Sequence, residues 1–282
     1  MKKIRNILVP TDFSATARNA FHYAEKLAKT IGAHLNVVHI KESFIPVSDI
    51  TVTPLFLRDE ELLSRETLDN FVQDENNDSD TLTKKEVKTH TLLGNPTENL
   101  IALSKEPETD WIVMGTTGLQ DFISKIIGSI SFAVSNQAQS PVFLIPRAAT
   151  WRPIKRILFA SNAVSAQPKM LHQITDIAER FGAAIHFIHI DEGQNEQIRV
   201  TDGIWRDLLA RVKPTASFQI HSISNENAVK ALNQYAIEHD IDVVAFISQH
   251  RSFWQNLIHS SITEQFAIIT DRPMLIMHID DK

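Results

Sequence analysis

The sequence predicts an α/β protein made of two tandem doubly wound domains, each a five-stranded parallel sheet with helices on both faces. Three observations point there: strand-like and helix-like segments alternate, the first and fifth strands are apolar runs, and the whole pattern occurs twice. Alternating strand and helix implies a parallel sheet covered on both sides. The repeat is legible residue by residue. At an offset of 150, Ile7 and Leu8 fall on Ile157 and Leu158, Ala28 on Ala178, Gly32 on Gly182, and His39-Ile40 on His189-Ile190. At an offset of 132, TDWIVMGTTG (109–118) meets IDVVAFISQH (241–250), and SPVFLIP (140–146) meets RPMLIMH (272–278). The offset falls because the second half lacks part of the segment between its second and third strands. A module of roughly 140 residues has been duplicated, a domain-sized unit. The domains are 1–148 and 149–282, meeting near RAATWRP (147–153).

The elements of the first module follow in order. ILVP (7–10), apolar and β-branched, reads as a buried strand. An amphipathic helix follows, with Ala20, Tyr23, Ala24, Leu27 and Ala28 at i, i+3, i+4 spacing. HLNVVHI (34–40) is the second strand, EELLSRETLDNFVQ (60–73) the second helix and KEVKTHTLL (85–93) the third strand. PTENLIALSKE (96–106) is the third helix, DWIVMG (110–115) the fourth strand, SISFAVSNQA (129–138) the fourth helix and PVFLIP (141–146) the fifth strand. VQDENNDSDTLTKKE (72–86), acidic, polar and free of glycine, reads as a solvated loop. The fifth strand of each module is apolar and ends its sheet, so its edge must be covered. The expectation is an intrachain pseudo-dimer through 140–146 and 272–278, with further homodimerisation left open.

Composition narrows the function. The net charge is −6 and no basic block is longer than two or three residues, which argues against a dedicated nucleic-acid binder. The chain has no cysteine, so disulfide frameworks, thiolate catalysis and Cys-ligated zinc are excluded. MKKIRNILVPTDFS carries no apolar signal core, and no apolar run approaches the ~18 residues of a membrane span. A cytoplasmic protein without nucleic-acid or membrane partners is expected. Twelve histidines invite a metal site, but His186 and His189, three apart on a strand, face opposite ways. No G-x-S-x-G turn offers a hydrolase nucleophile.

One stretch concentrates chemistry. GTTGLQDFISKIIGS (115–129) holds three of the eight glycines. Gly115 and Gly118 open the loop beyond the fourth strand, and Gly128-Ser129-Ile130-Ser131 begins a helix. Free N–H groups at a helix start, at the positive end of its dipole, form an anion site. Gly128 lets a phosphate approach, and the hydroxyls of Ser129 and Ser131 are donors to it. Neither a G-x-x-x-x-G-K-[ST] loop nor a G-x-G-x-x-G after a first strand is present. On spacing alone, turn glycines with Ser129 as a helix cap explain the stretch equally well.

G-x2-G-x9-G-S after the fourth strand, with an Asp just past the first, resembles the universal stress protein family, and the paired modules resemble its tandem form. The resemblance spans nearly the whole chain, through VPTDFS, the strand ending in His-Ile, GNP before the third helix, and PVFLIP. It implies a Rossmann-like, adenine nucleotide alpha hydrolase-like fold and ATP binding, alone or with Mg²⁺, by modules with the full glycine motif. Carried over, Asp12 and the Ile40 backbone face adenine with Pro10 shaping that wall. Met114 and Gly115 lie along the ribose, and Gly118, Gly128, Ser129, Ile130 and Ser131 cradle the phosphates. The second module departs from the pattern. Asn162 replaces Asp12, Ile247 replaces Gly115, His250 replaces Gly118 and Ser260 replaces Gly128, while Ser261 and Thr263 keep hydroxyls. That half is expected to be empty. The resemblance implies a stress-linked ATP sensor or adaptor. The alternatives are an interaction protein without nucleotide and a slow ATP hydrolase.

Overall fold

The computed structural model describes residues 4–42, 54–75, 82, 86–116, 128–161, 168–191, 210, 212, 215–224, 228–249 and 270–279. The chain divides at Arg147/Ala148 into two compact units. In the first, β1 (Asn6–Pro10), β2 (His34–Lys41), β3 (Val87–Leu93), β4 (Trp111–Gly115) and β5 (Val142–Ile145) alternate with α1 (Ala15–Ile31), α2 (Pro54–Glu75), α3 (Pro96–Leu103) and α4 (Ser129–Gln137). The strands lie in the order β3-β2-β1-β4-β5, all parallel. The chain therefore winds outward from β1 in one direction, then returns to β4 and winds in the other. Right-handed crossovers place the first two helices on one face and the last two on the other. α1 and α2 meet through Phe21 and Phe71, whose rings are 5.6 Å apart, and α3 packs on α4.

The elements form for local reasons. Ser14 caps α1 by accepting from Ala17 N at 3.1 Å, and Gly32 ends it at φ 68°, a left-handed conformation that suits glycine. Ala20, Phe21, Ala24, Leu27 and Ala28 of α1 are fully buried against Ile7, Val9, Leu35 and Val37 of the sheet. Trp111 is buried and sits 5.2 Å from Phe143, ring to ring, as a core residue. α2 starts at Pro54, before the amphipathic run that announces it, and ends at Glu75, so the first residues of the expected acidic loop are helical.

The second unit contains β6 (Arg156–Ser161), α5 (Pro168–Phe181), β7 (Ala184–Asp191), β8 (Phe218–Ser224), α6 (Ala228–Glu238), β9 (Val243–Gln249) and β10 (Met274–Ile279). Its strands order as β10-β9-β6-β7-β8, again all parallel. The duplication persists at the level of register. Asn6 pairs with His34 as Arg156 pairs with Ala184, Ile7 with Trp111 as Ile157 with Val243, and Ile112 with Val142 as Val244 with Met274. Caps repeat too: Gly182 closes α5 at φ 62°, and Ala183 N donates to Ala178 O at 2.9 Å as Ala33 N does to Ala28 O. Among the described residues no helix is long and apolar enough to cross a membrane.

Candidate functional site

In a doubly wound sheet, ligands bind beyond the carboxyl ends of the strands where strand order reverses. In the first unit that point lies between β1 and β4, and a cleft of about 670 Å³ opens there. Nine of the ten residues expected to bind line it: Pro10, Asp12, Ile40, Met114, Gly115, Gly128, Ser129, Ile130 and Ser131. Gly118 lies outside the described residues, as do Asn162, His250, Ser260, Ser261 and Thr263 of the second unit. The cleft also takes Thr11, Ala17, Val38, Glu42, Asn95, Pro96, Thr97 and Leu100, which the motif does not name. Three of these, Val38, Asn95 and Pro96, had a signal in the sequence. Val38 is two residues from Ile40 on the same strand face, and GNP announces the start of α3.

Each wall has a local cause. Pro10 ends β1, and Thr11 N donates to Val38 O at 2.9 Å, which carries the pairing with β2 one residue past the strand. Asp12 then accepts from Ser14 N at 3.0 Å through Oδ1, and Thr11 Oγ1 accepts from Phe13 N at 3.0 Å. These side-chain-to-backbone bonds build a turn that delivers the chain into α1. Asn95 caps α3 by accepting from Glu98 N at 3.1 Å, with Pro96 at the first helical position.

At the other end, Gly128 is the cap residue of α4 and has no side chain to accept from the first turn. Helix geometry leaves the N–H groups of Ser129, Ile130 and Ser131 without intrahelical acceptors, at the positive end of the dipole. The capping role considered for Ser129 therefore belongs to Gly128. Gly128 sits at φ −58° and ψ 146°, a conformation open to any residue, so its backbone does not demand glycine.

Two expectations change. Ser131 is buried, and its hydroxyl donates to Gly115 O at 2.7 Å, which ties α4 to the end of β4. That proton is engaged by the scaffold, which leaves the Ser129 hydroxyl as the one of the two not used to join α4 to β4. Gly115 is the last residue of β4, registered with Ile145, and does not open the loop. Its lack of a side chain serves packing: a Cβ there would stand 2.6 Å from Thr16 Cγ2 and 3.1 Å from Thr16 O. Gly115→Ala should therefore destabilise the fold by about 1–3 kcal/mol, because β4 and α1 must separate. Urea unfolding checks this, and Thr16→Ser, which removes the nearest methyl, should restore part of the loss in the double variant. A loss of ligand in Gly115→Ala then reports a shifted helix as readily as a blocked cleft, whereas Gly128 tests the cleft.

Fold and cleft together define a doubly wound α/β module with an open cleft at its switch point. The universal stress protein family model matches residues 3–146, and the chain belongs to that family. A universal stress protein of Mycobacterium tuberculosis is 23% identical over 147 residues, covering 51% of this chain and 98% of the relative. One from Methanocaldococcus jannaschii is 26% identical over 150 residues, covering 51% of this chain and 82% of its own length. Among solved structures, a universal stress protein from Archaeoglobus fulgidus superposes with a TM-score of 0.74 at 16% identity, over 98% of this chain and 99% of that one. At that identity the likeness is one of fold.

Proposed function

We propose that the first unit is an adenine-nucleotide site, with ATP as ligand, alone or with Mg²⁺, and that the protein is a stress-linked nucleotide sensor or adaptor. The observation that carries this reading is convergence: nine residues scattered from Pro10 to Ser131 meet around one cleft that ends at a helix start without a side-chain cap. The residues fit the group. A cleft of about 670 Å³ lies within the usual small-molecule range. Pro10, Val38, Ile40 and Leu100 offer apolar surface for a purine, and the Asp12 carboxylate is an acceptor matched to its exocyclic amine. The amides of Ser129 and Ile130 suit the phosphates. Among the described lining residues the formal charges are the carboxylates of Asp12 and Glu42, so the start of α4 is the feature that favours an anion. Bound Mg²⁺ would supply the positive charge a triphosphate needs there.

The second unit has been released from this task. Ile247 stands at the counterpart of Gly115, buried in β9 and registered with Met277 as Gly115 is with Ile145. One nucleotide site beside a silent half suits a sensor whose other module serves contacts with other proteins. A phosphate cradle built of amides and a hydroxyl holds a nucleotide without supplying a base to turn it over.

The first test is to denature freshly purified protein and identify released nucleotide by mass spectrometry. One adenine nucleotide per chain is the expected result, and its phosphate count reports whether slow hydrolysis occurs. Gly128→Val should weaken ATP binding at least tenfold, about 1.4 kcal/mol, at a cost of about 1 kcal/mol in urea unfolding, since valine is a poorer helix cap than glycine. No released nucleotide, together with no heat on titration with ATP–Mg²⁺, would sink the sensor and leave an interaction protein.

A further inference from the structure

Phe13 adopts φ 63°, the left-handed region, where a bulky side chain is strained. It directly follows Asp12. Such strain persists only where the surroundings hold it, and it gathers at functional sites. Here the holding group is identifiable. The Phe13 ring lies 4.4 Å from the His39 imidazole, centroid to centroid, and 5.6 Å from Phe71 of α2. Phe71 is buttressed in turn by Phe21 of α1 and by the Arg18 guanidinium, 5.0 Å above its ring.

His39 also holds the residue on the other side of Asp12. Its Nδ1 lies 2.9 Å from Thr11 O. A carbonyl only accepts, so Nδ1 carries the proton and the imidazole is fixed in that tautomer. His39 sits between Val38 and Ile40 on β2, and alternation turns those two toward the cleft and His39 away from it. One side chain behind the wall therefore grips both neighbours of the carboxylate that lies in the wall.

We propose that His39 is a positioning residue for Asp12: by donating to the Thr11 carbonyl and packing on the Phe13 ring, it sets the carboxylate that reads the purine amine, an inference that rests on the nucleotide reading above. A group placed by a backbone carbonyl on one side and a ring on the other can move only if that carbonyl or ring moves, which is what supporting residues around a binding group achieve.

The test uses the full-length protein and two ligands, ATP and ITP, which has a carbonyl where adenine has its amine. His39→Phe keeps a ring against Phe13 and removes the donor; His39→Asn keeps a donor in the position of Nδ1. Wild type should prefer ATP over ITP. H39F should weaken ATP at least tenfold and leave ITP within about threefold of wild type, since the phosphate end is untouched, and H39N should recover most of the ATP preference. Equal loss of ATP and ITP in H39F would show a merely structural role, and unchanged ATP binding in H39F would overturn the assignment outright. An H39N variant as poor as H39F would refute the donor. Wild type that binds neither ligand sinks the nucleotide site itself, and this inference with it, an outcome distinct from failure of His39 alone.

Discussion

Asp242→Ala should lower the stability of the second unit by about 3 kcal/mol, the size expected when one partner of a buried, hydrogen-bonded ion pair is removed. Asp242 is buried ahead of β9. Its Oδ2 accepts from Lys155 N at 2.7 Å and Arg156 N at 2.8 Å, the two amides that begin β6, while Oδ1 lies 2.7 Å from Arg152 Nε. Truncation leaves two backbone donors and a guanidinium without their shared acceptor. Arg152 is partly exposed and keeps Asp240 and Ile241 O as partners, which limits the loss to the lower end of the range. The device is duplicated: Asp110 Oδ2 accepts from Arg5 N at 2.8 Å and Asn6 N at 3.2 Å at the start of β1. Asp110 is half-buried where Asp242 is buried, and one of its bonds is longer, so Asp110→Ala should cost less, about 1–2 kcal/mol. Urea midpoints at constant slope measure both. A loss below about 1 kcal/mol in Asp242→Ala would mean that water replaces the carboxylate without penalty.

That pair of aspartates shows what a sequence does and does not carry. The offset of 132 aligns Asp110 with Asp242, because both precede the fourth strand of a module. Their task, closing the start of the first strand, lies 105 and 87 residues away along the chain, and no local pattern reaches that far. The strands were legible because a strand buried on both faces must be apolar throughout, as ILVP and PVFLIP are. The start of α2 was not, since TPLFLRD lacks the amphipathic spacing of the turns that follow it. At the cleft, nine lining residues were legible and several of their structural tasks were not. Gly115, expected along the ribose, also gives clearance to Thr16, and Ser131, expected beside the phosphates, also fastens α4 to β4. Both tasks depend on which elements become neighbours. His39 carried even less signal, for a histidine ending a strand is unremarkable until Phe13 and Thr11 O are seen on either side of Asp12.

The second unit should lose stability between pH 6.5 and 4, and His186→Gln should remove the His186 share of that loss. His186 on β7, His221 on β8 and His239 just after α6 gather around Tyr235, a group dispersed over three elements and invisible to motif reading. The Tyr235 hydroxyl is 2.9 Å from His186 Nδ1, its ring stacks on His239 at 3.8 Å, and the His221 and His239 rings are 6.1 Å apart. Burial holds His186 down to about 4, helped by the charges His239, His221 and Arg156 would place beside it; burial and then His239 lower His221 as well. Burial raises Tyr235 to about 12, so its hydroxyl stays protonated. The sign follows from linkage. Above the unfolded value of 6.5 the imidazole is neutral in both states and folding is unaffected. As pH falls below that value the unfolded chain binds a proton that the folded unit refuses, so stability declines until about 4, where the folded form is protonated too. The full separation is on the order of 3 kcal/mol, with about 2 kcal/mol reached by pH 5. Glutamine at 186 keeps a hydrogen-bonding partner for Tyr235 and cannot take up the proton. Urea unfolding at pH 7.5 and pH 5, with amide exchange read on β8 and α6, should therefore show the wild type falling about 2 kcal/mol further than the variant. Every other titrating group is common to both proteins, so its contribution cancels in the comparison. Equal losses in the two proteins would place the acid sensitivity elsewhere and leave the cluster as packing alone.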